Sequence, residues 1–274
     1  MNIPKYLEDN ASRIKQLGEQ ELNEWSSSYE AEGFNKFKII EEIKETFPSK
    51  RIYRSDIIKM FQNNKIYLGF VTAMMWGGIN ATRPHKKAGG VTETNFYKIL
   101  SYKKESIEES IIFSNKCFEE GDFKTPFKQM MPSNKYKIPG VGYPYFTKIF
   151  FFLGQSNDHI KIKPLILDKW TSNSFYALLS QSYPEDIPKF FRTIKSSKNT
   201  NSPGEVVLRS GKNLINAYER FNHLMNDWAQ QLNISPDKLE EFVFGYRLDS
   251  GDRASNPRVQ LWQIVDNNKN LVSK

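Results

Sequence analysis

The chain has 274 residues, a formal net charge of +8 and 14% aromatic residues, so it is long enough to bury one large core or two modest ones. The basic bias is moderate; it fits a polyanionic partner without requiring one. A single cysteine, Cys117, excludes an internal disulfide and any multi-cysteine metal or iron–sulfur site. The N-terminus lacks the apolar core of a signal peptide, and no uncharged apolar run approaches the ~18 residues of a membrane span. We therefore expect a cytoplasmic protein.

The N-terminal part of the chain is predicted to be helical. Residues 5–31 and 37–47 have helical periodicity, and ten acidic residues accompany five basic ones between positions 7 and 45. This end is not expected to face a phosphate backbone. Residues 66–76 are apolar nearly all round, which predicts a buried helix. The polar, basic stretch 80–95 is predicted to be a loop, and loops of this length in compact domains are often functional.

The centre of the chain carries a glycine turn and a lone carboxylate. Pro139-Gly140-Val141-Gly142 cannot be helical, yet apolar residues flank it, which predicts a tight turn between two helices. Its glycines let the backbone approach a bulky group closely, and Pro144 suits the first turn of the next helix. The free N–H groups and positive dipole end of such a helix form a natural phosphate site. Between residues 128 and 169, seven lysines accompany only two acids, Asp158 and Asp168.

The C-terminal part is also predicted to be mainly helical. Residues 171–181 and 205–232 have helical patterns, and residues 195–204 are the most linker-like stretch. The last twenty residues look irregular or weakly extended, and no alternating strand pattern is convincing anywhere. The expected fold class is all-α.

The glycine turn followed by Pro164-Leu165-Ile166-Leu167-Asp168 resembles the helix-hairpin-helix DNA glycosylases, particularly the branch with the oxoguanine-glycosylase fold. The resemblance implies two helical subdomains with a cleft between them, a hairpin that grips a DNA phosphate, and a catalytic aspartate at position 168. It implies DNA contacts in and around the turn, at Pro139, Gly140, Val141, Gly142, Tyr143, Lys137 and Lys148.

The resemblance also suggests residues that meet the flipped base. Trp76 and Asn80 are candidates to fill the gap that the base leaves, and Trp170 is a candidate to stack on the base. Each tryptophan has an ordinary alternative, because aromatic residues at helical spacing are more often part of the core. The individual lysines are likewise more often solvated surface charges.

Asp168 suits the chemistry of an N-glycosidic bond. An ionised carboxylate stabilises the positive charge that develops on the sugar, and it can accept a proton from the attacking water. The base must first leave the helical stack. The ordinary alternative is a helix N-cap, and one residue can serve both purposes. Bifunctional members of the superfamily carry a catalytic lysine six residues before the hairpin proline, where this chain has Ser133. We therefore expect hydrolysis without lyase activity.

The resemblance leads to a division into three parts. Residues 1–120 form an N-terminal helical portion that includes the base-gap loop (80–95). Residues 121–200 form the hairpin and aspartate region, and residues 201–274 form C-terminal helices that pack on the cleft. We expect a monomer that binds DNA and no membrane. His159 and His223 have no matching ligands, so no metal is expected, although hairpin carbonyls in the superfamily can hold a structural monovalent cation.

The substrate is left open by the sequence. An oxidised purine such as 8-oxoguanine is the conventional substrate of the superfamily. A hypermodified phage base such as glucosylated hydroxymethylcytosine is the other hypothesis, and it implies antiviral defence. The alternative to an enzyme is a non-catalytic helix-hairpin-helix module that binds DNA.

Overall fold

The computed structural model describes residues 2–19, 27–28, 34, 37–46, 51–82, 86–87, 90–91, 93–194, 205–245 and 253–273. Helices dominate these residues, which confirms the predicted all-α class. None of the described helices is long and apolar enough to cross a membrane. The chain forms two compact units. We call Leu22–Pro164 the hairpin unit, and Met1–Glu21 together with Leu165–Lys274 the aspartate unit. The three-part division predicted above, and the cleft, stay predictions.

The described helices are α1 (Lys5–Asp9), α2 (Ala11–Glu19), α3 (Ile39–Thr46), α4 (Arg54–Gln62), α5 (Ile66–Trp76), α6 (Asn95–Leu100), α7 (Lys104–Glu119), α8 (Lys124–Met130), α9 (Tyr143–Ser156), α10 (Lys169–Ser182), α11 (Ile187–Phe190), α12 (Lys212–Gln231), α13 (Pro236–Phe244) and α14 (Pro257–Asn267). Short 3₁₀ turns span Pro184–Asp186, Arg253–Ser255 and Lys269–Ser273. Within the described residues the strands form three antiparallel pairs, β1 (Ser27–Ser28) with β2 (Arg51–Ile52), β3 (Lys86–Lys87) with β4 (Gly90–Val91), and β5 (Phe191–Ile194) with β6 (Glu205–Leu208).

The core of the hairpin unit is built around α9. Helices α4, α5, α7 and α8 all pack against it. Phe146 and Phe150 are buried on α9, and each meets the edge of a neighbouring ring: Phe127 lies 4.8 Å from Phe146, and Phe118 lies 4.9 Å from Phe150, centre to centre. Edge-to-face pairs of this kind add to the stabilisation from burial. This packing holds the start of α9, and with it the glycine turn, on a rigid support.

The core of the aspartate unit lies between α10, α12, α13 and α14. The N-terminal segment belongs to this core. The Tyr6 N–H donates to Gln181 at 2.9 Å, and its hydroxyl donates to Gln260 at 2.8 Å. The indole N–H of the buried Trp228 donates to the Asn2 carbonyl at 3.1 Å. Residues from both ends of the chain therefore position α10.

The predicted helix over residues 205–232 is wrong in its first part. Residues 205–208 form β6, whose partner β5 precedes it in the chain, and the helix begins only at Lys212. Gly211, with φ of 67°, separates the strand from the helix. The strand pairing also corrects the expectation of no strands.

The C-terminal residues are helical, which corrects the prediction of an irregular or extended end. Asn256 caps α14 by accepting the Arg258 N–H at 2.9 Å, and Pro257 occupies the first turn. Leu261 and Val265, one turn apart, are buried against the rest of the unit. An asparagine cap followed by proline is a standard start signal for a helix.

Candidate active site and DNA-binding hairpin

The glycine turn alternates between anchoring and surface residues. Ile138 and Val141 are buried, whereas Pro139 and Gly142 are exposed. The Val141 N–H donates to the Ile138 carbonyl at 3.2 Å and closes the turn, and Gly140 adopts φ of 80°. Two apolar anchors therefore present the exposed backbone between α8 and α9 in a fixed conformation.

The two glycines of the turn have different reasons to be glycine. A Cβ on Gly140 would lie 3.0 Å from the Asn95 carbonyl oxygen, and the positive φ is itself unfavourable for other residues. Gly142 has an ordinary φ of −92°, and a Cβ there would meet only Pro144 Cδ, at 3.6 Å. The fold therefore requires glycine at 140 but not at 142. The expected close approach of a DNA phosphate at Gly142 stays a prediction.

Helix α9 starts at this surface without a side-chain cap. The Gly142 carbonyl accepts the N–H groups of Tyr145 and Phe146 at 2.9 and 3.0 Å. The Gly142 N–H has no acceptor among the described residues. The positive end of the helix dipole thus lies at an exposed turn, which is the arrangement that binds phosphate.

Lys137 supports the turn from inside. Its ammonium donates to the Val141 carbonyl, and burial lowers the pKa of Lys137. The structural monovalent cation that the resemblance allows at the hairpin carbonyls stays a prediction. In this conformation the lysine already supplies the positive charge, so a cation at Val141 would have to compete with it. The predicted contact of Lys137 with DNA stays a prediction.

Lys148 lies within the hairpin unit and not at the tip of the turn. Its side chain is 9% exposed, and its ammonium donates to the Pro144 carbonyl at 2.9 Å. A Cβ added to Gly77 would lie 2.7 Å from Lys148 Cδ, so the lysine stem covers the end of α5. Tyr143, by contrast, is partly exposed at the start of α9. Contacts of both residues with DNA stay predictions, and the burial of Lys148 weighs against its contact.

The base-gap candidates fall in different environments. Trp76 is 5% exposed, and its ring lies 5.2 Å from Phe152 and 5.3 Å from the Arg54 guanidinium, which supports the core alternative. Asn80 is partly exposed; its carbonyl accepts the Phe96 N–H at 3.0 Å. Residues 83–85, 88–89 and 92 of the adjoining loop lie outside the described residues.

Asp168 is the N-cap of α10. Its Oδ1 accepts the N–H groups of Trp170 and Thr171 at 2.8 and 3.0 Å, and its own N–H donates to the Thr171 hydroxyl at 2.8 Å. This reciprocal box fixes the carboxylate, which is only partly buried, at the positive end of a 14-residue helix. The capping alternative is therefore correct. Catalysis by the same carboxylate is compatible with it and stays a prediction.

A cation that the sequence did not reveal lies near Asp168. The Arg258 guanidinium lies over the rings of Trp170 and Phe244, 4.5 and 4.4 Å from their centres, and its Nε–H donates to the Phe244 carbonyl at 2.8 Å. Burial lowers the pKa of Arg258, and the Asp168 carboxylate acts in the opposite direction.

Trp170 belongs to an aromatic pair. Its ring lies 5.4 Å from that of Trp262, almost perpendicular to it, and Trp262 is 38% exposed. Trp170 itself is partly exposed and carries Arg258 on its face. Sequence reasoning missed Arg258 and Trp262 because it assigned no helix to their segment. The Asn256-Pro257 start signal would have placed both on one helical face.

The resemblance implies a lyase lysine at position 133, where this chain has serine. Ser133 is exposed and adopts φ of 67°. The nearby Lys135 is bound to the Tyr136 hydroxyl at 2.9 Å and to Glu109 at 3.2 Å, and these hydrogen bonds raise its pKa. A Schiff-base lysine needs a lowered pKa to be nucleophilic at neutral pH.

A family model described as "Putative 8-oxoguanine DNA glycosylase OGG-like protein" matches residues 15–244. The chain belongs to this family. The match spans most of the chain and includes both the glycine turn and Asp168. It confirms the resemblance to the oxoguanine-glycosylase branch. No curated protein and no solved structure matches the chain.

Family membership identifies this OGG-like chain as a DNA glycosylase, with DNA as its substrate. The matched region ends at Phe244, before α14. Arg258 and Trp262 therefore lie beyond the part of the chain that the family model describes.

Proposed function

We propose that this OGG-like chain is a monofunctional DNA glycosylase, in which the glycine turn holds a backbone phosphate and Asp168 hydrolyses the N-glycosidic bond of a flipped, modified base. The observation that carries the proposal is the fixed Asp168 carboxylate at the start of α10, next to Arg258 and the partly exposed Trp170. A carboxylate held in one orientation needs little reorganisation when positive charge develops beside it.

The proposed reaction breaks the bond between C1′ of the deoxyribose and the base nitrogen. The bonding electrons leave with the base, which takes up a proton, and the sugar becomes electron-poor. Asp168 stabilises that charge and accepts a proton from the water whose oxygen attacks C1′. The products are a free base and an abasic site with an intact strand.

The environment of the lysines favours hydrolysis over lyase chemistry. Lys135 has its pKa raised by its hydrogen bonds, and the ammonium of Lys137 is bound to the Val141 carbonyl. Lys135 is therefore not presented as a nucleophile. Burial lowers the pKa of Lys137, but its ammonium is held by the Val141 carbonyl. The Gly142 N–H and the exposed start of α9 offer an anion site for the phosphate that anchors the DNA.

The substrate is an oxidised purine such as 8-oxoguanine or a hypermodified phage base such as glucosylated hydroxymethylcytosine. In the first case the chain repairs DNA, and in the second it serves antiviral defence. Base release from DNAs that each carry one of these bases, followed by mass spectrometry, distinguishes the two roles.

The change Asp168→Asn tests the catalytic role while keeping the fold. Asparagine caps helices about as well as aspartate, so the bonds to Trp170 and Thr171 survive and only the charge is lost. We expect base release to fall by roughly 10²–10⁴-fold, the usual worth of a positioned acid–base group, with DNA affinity little changed. The matched control is Asp158→Asn, an exposed acid of the same lysine-rich stretch. Undiminished base release in the Asp168 variant would contradict the proposal.

A non-catalytic DNA-binding module is the alternative. It predicts tight binding by the unaltered chain, no base release from any modified DNA, and no effect of Asp168→Asn on either measurement. The same pair of assays therefore separates the two functions.

A further inference from the structure

The aspartate unit contains a surface pocket of about 390 Å³ that neither the helix cap nor the glycine turn uses. Small-ligand sites begin at about 300 Å³, so a single ring with substituents fits. The pocket is formed by α10, β6, α14 and the 3₁₀ turn after α14. The side chains that carry the argument are Lys169, Asn173, Glu205, Trp262, Asp266 and Lys269.

Asn173 is the first indication of a ligand. The residue is only 9% exposed and lines the pocket, and its side chain makes no hydrogen bond to any residue that the structure describes. Side-chain amides of buried residues are nearly always hydrogen-bonded, either to the protein or to water. The Asn173 amide is therefore available to a polar ligand that both donates and accepts.

The charges of the pocket exclude an anion as its preferred ligand. Lys169 pairs with Glu205 at 2.6 Å, and Lys269 pairs with Asp266 at 2.6 Å. The two ammonium groups are thus balanced by two carboxylates, so the wall has no net charge for a phosphate to neutralise. The same four groups offer both donors and acceptors to a neutral ligand.

A hydroxyl-rich ring suits this wall better than a bare nucleobase. Each hydroxyl both donates and accepts, so it satisfies carboxylates and the Asn173 amide alike. The exposed ring of Trp262 provides one apolar surface for the C–H face of a sugar. A planar base would instead need apolar contacts on both faces, and most of the remaining wall is polar.

The position of the pocket relates it to the proposed reaction. Lys169 lines it and directly follows Asp168, which is itself not one of the lining residues. Trp262 also contacts Trp170. A group in this pocket is therefore next to, and distinct from, the deoxyribose whose C1′ the water activated by Asp168 would attack.

We infer that this pocket binds a neutral polyhydroxylated group of hexose size. The next step rests on the proposed function: in a glycosylase, that group is a sugar attached to the excised base. The base with its sugar, rather than an oxidised purine, is then the substrate class. Four of the lining residues belong to α14 and the turn after it, beyond the region that the family model matches.

The first experiment measures binding and needs no catalysis. The Asp168→Asn chain is titrated with two oligonucleotides of one sequence, one carrying glucosylated hydroxymethylcytosine and the other hydroxymethylcytosine. We expect the glucosylated DNA to bind about tenfold more tightly, and Asn173→Ala to remove most of that preference, because a hydrogen bond to a ligand is worth about this factor. Asn213→Ala, an exposed asparagine on α12, is the control and should keep the preference. Equal affinity for the two DNAs overturns the inference.

The second experiment is independent of any variant and of DNA binding. Methyl α- and β-D-glucoside are added at millimolar concentration to the unaltered chain, labelled with ¹⁵N. We expect shifts of the Asn173 side-chain amide and the Trp262 indole N–H resonances, with the Asn213 amide unchanged. Unmoved Asn173 and Trp262 resonances count against the site.

Failure of this inference is distinguishable from failure of the proposed function. If base is released from DNA without a sugar and neither experiment detects the sugar, the glycosylase stands and the pocket assignment falls. If the sugar is bound but no DNA loses a base, the pocket stands and hydrolysis falls.

Discussion

The guanidinium of Arg258 lies 4.5 Å from the centre of the Trp170 ring, two residues beyond Asp168. The guanidinium also contacts the ring of Phe244, whose carbonyl accepts the Arg258 Nε–H. Asn256 adds one more contact, because its amide donates to the Gly245 carbonyl at 2.9 Å. We call these contacts of Arg258 and Asn256 the Arg258 joint. The ends of α10, α13 and α14 are therefore tied together at the candidate catalytic carboxylate.

The Arg258 joint is expected to need arginine and not merely a positive charge. Lysine cannot stack a planar guanidinium on two rings or reproduce the Nε–H bond. We expect Arg258→Lys to lower the free energy of unfolding by about 1–2 kcal/mol, the worth of a half-buried cation–π contact and one hydrogen bond. Chemical denaturation measures this change. Arg192→Lys, at an exposed position on β5, should have no measurable effect, and equal stability of the two variants would refute the role of the joint.

Gly142→Ala should separate DNA binding from folding. The conformation of Gly142 suits alanine and leaves room for a methyl group in the free protein, so the melting temperature should change little. The same methyl group would stand where a phosphate approaches the backbone. We expect DNA affinity to fall at least several-fold, measured by equilibrium titration at fixed ionic strength.

Gly140→Ala is the matched comparison and should act in the opposite way. Its positive φ and the Asn95 carbonyl at 3.0 Å from the added Cβ strain the folded state, at a cost of about 1–2 kcal/mol. Thermal melting reports that loss directly. If both alanine variants lose stability equally and bind DNA equally, the distinction between the two glycines is wrong.

Strand cleavage should be absent. Because the resemblance implies the lyase lysine at position 133, where this chain has serine, and because Lys135 has a raised pKa, no Schiff base is expected with the abasic sugar. Borohydride added during base release should trap no protein–DNA adduct, and gels should show breaks only after a separate abasic-site treatment. A trapped adduct that disappears in Lys135→Met or Lys137→Met would identify the lysine and contradict hydrolysis.

Lys137→Met should make the hairpin depend on an added cation. Without the ammonium, the Val141 carbonyl loses the donor that it has in this structure. We expect weaker DNA binding in tetramethylammonium salts and recovery in K⁺ at the same ionic strength. The unaltered chain should bind equally in both salts. Lys161→Met, an exposed lysine further along the chain, is the control.

The hairpin was predictable because its signals are local. Proline and glycine exclude a helix at positions 139–142, and the apolar residues on either side require one. The cap at Asp168 was predictable for the same reason, as an acid directly before a helical pattern. Such features depend on a few neighbouring residues.

Other parts of the site depend on residues distant in the chain. Strands β5 and β6 are only four residues each, and what stabilises them is their mutual pairing across the segment between them. Asn173 lies among buried aromatic residues on α10, so nothing in its neighbours indicates an unpaired amide. Its significance arises only when α14 packs beside it, and the helical pattern of α14 is weak because few of its residues are buried.

The hydrogen bonds that join Tyr6 to Gln260 and Trp228 to Asn2 have a consequence for biosynthesis. The N-terminal segment is made before the hairpin unit, but its partners are made only after the whole of Leu22–Pro164. At typical rates of about 5–20 residues per second, that interval lasts on the order of ten seconds. At its end the hairpin unit has all its residues, whereas α1 and α2 still lack their partners. A nascent chain is therefore expected to form the glycine turn before the aspartate unit can assemble.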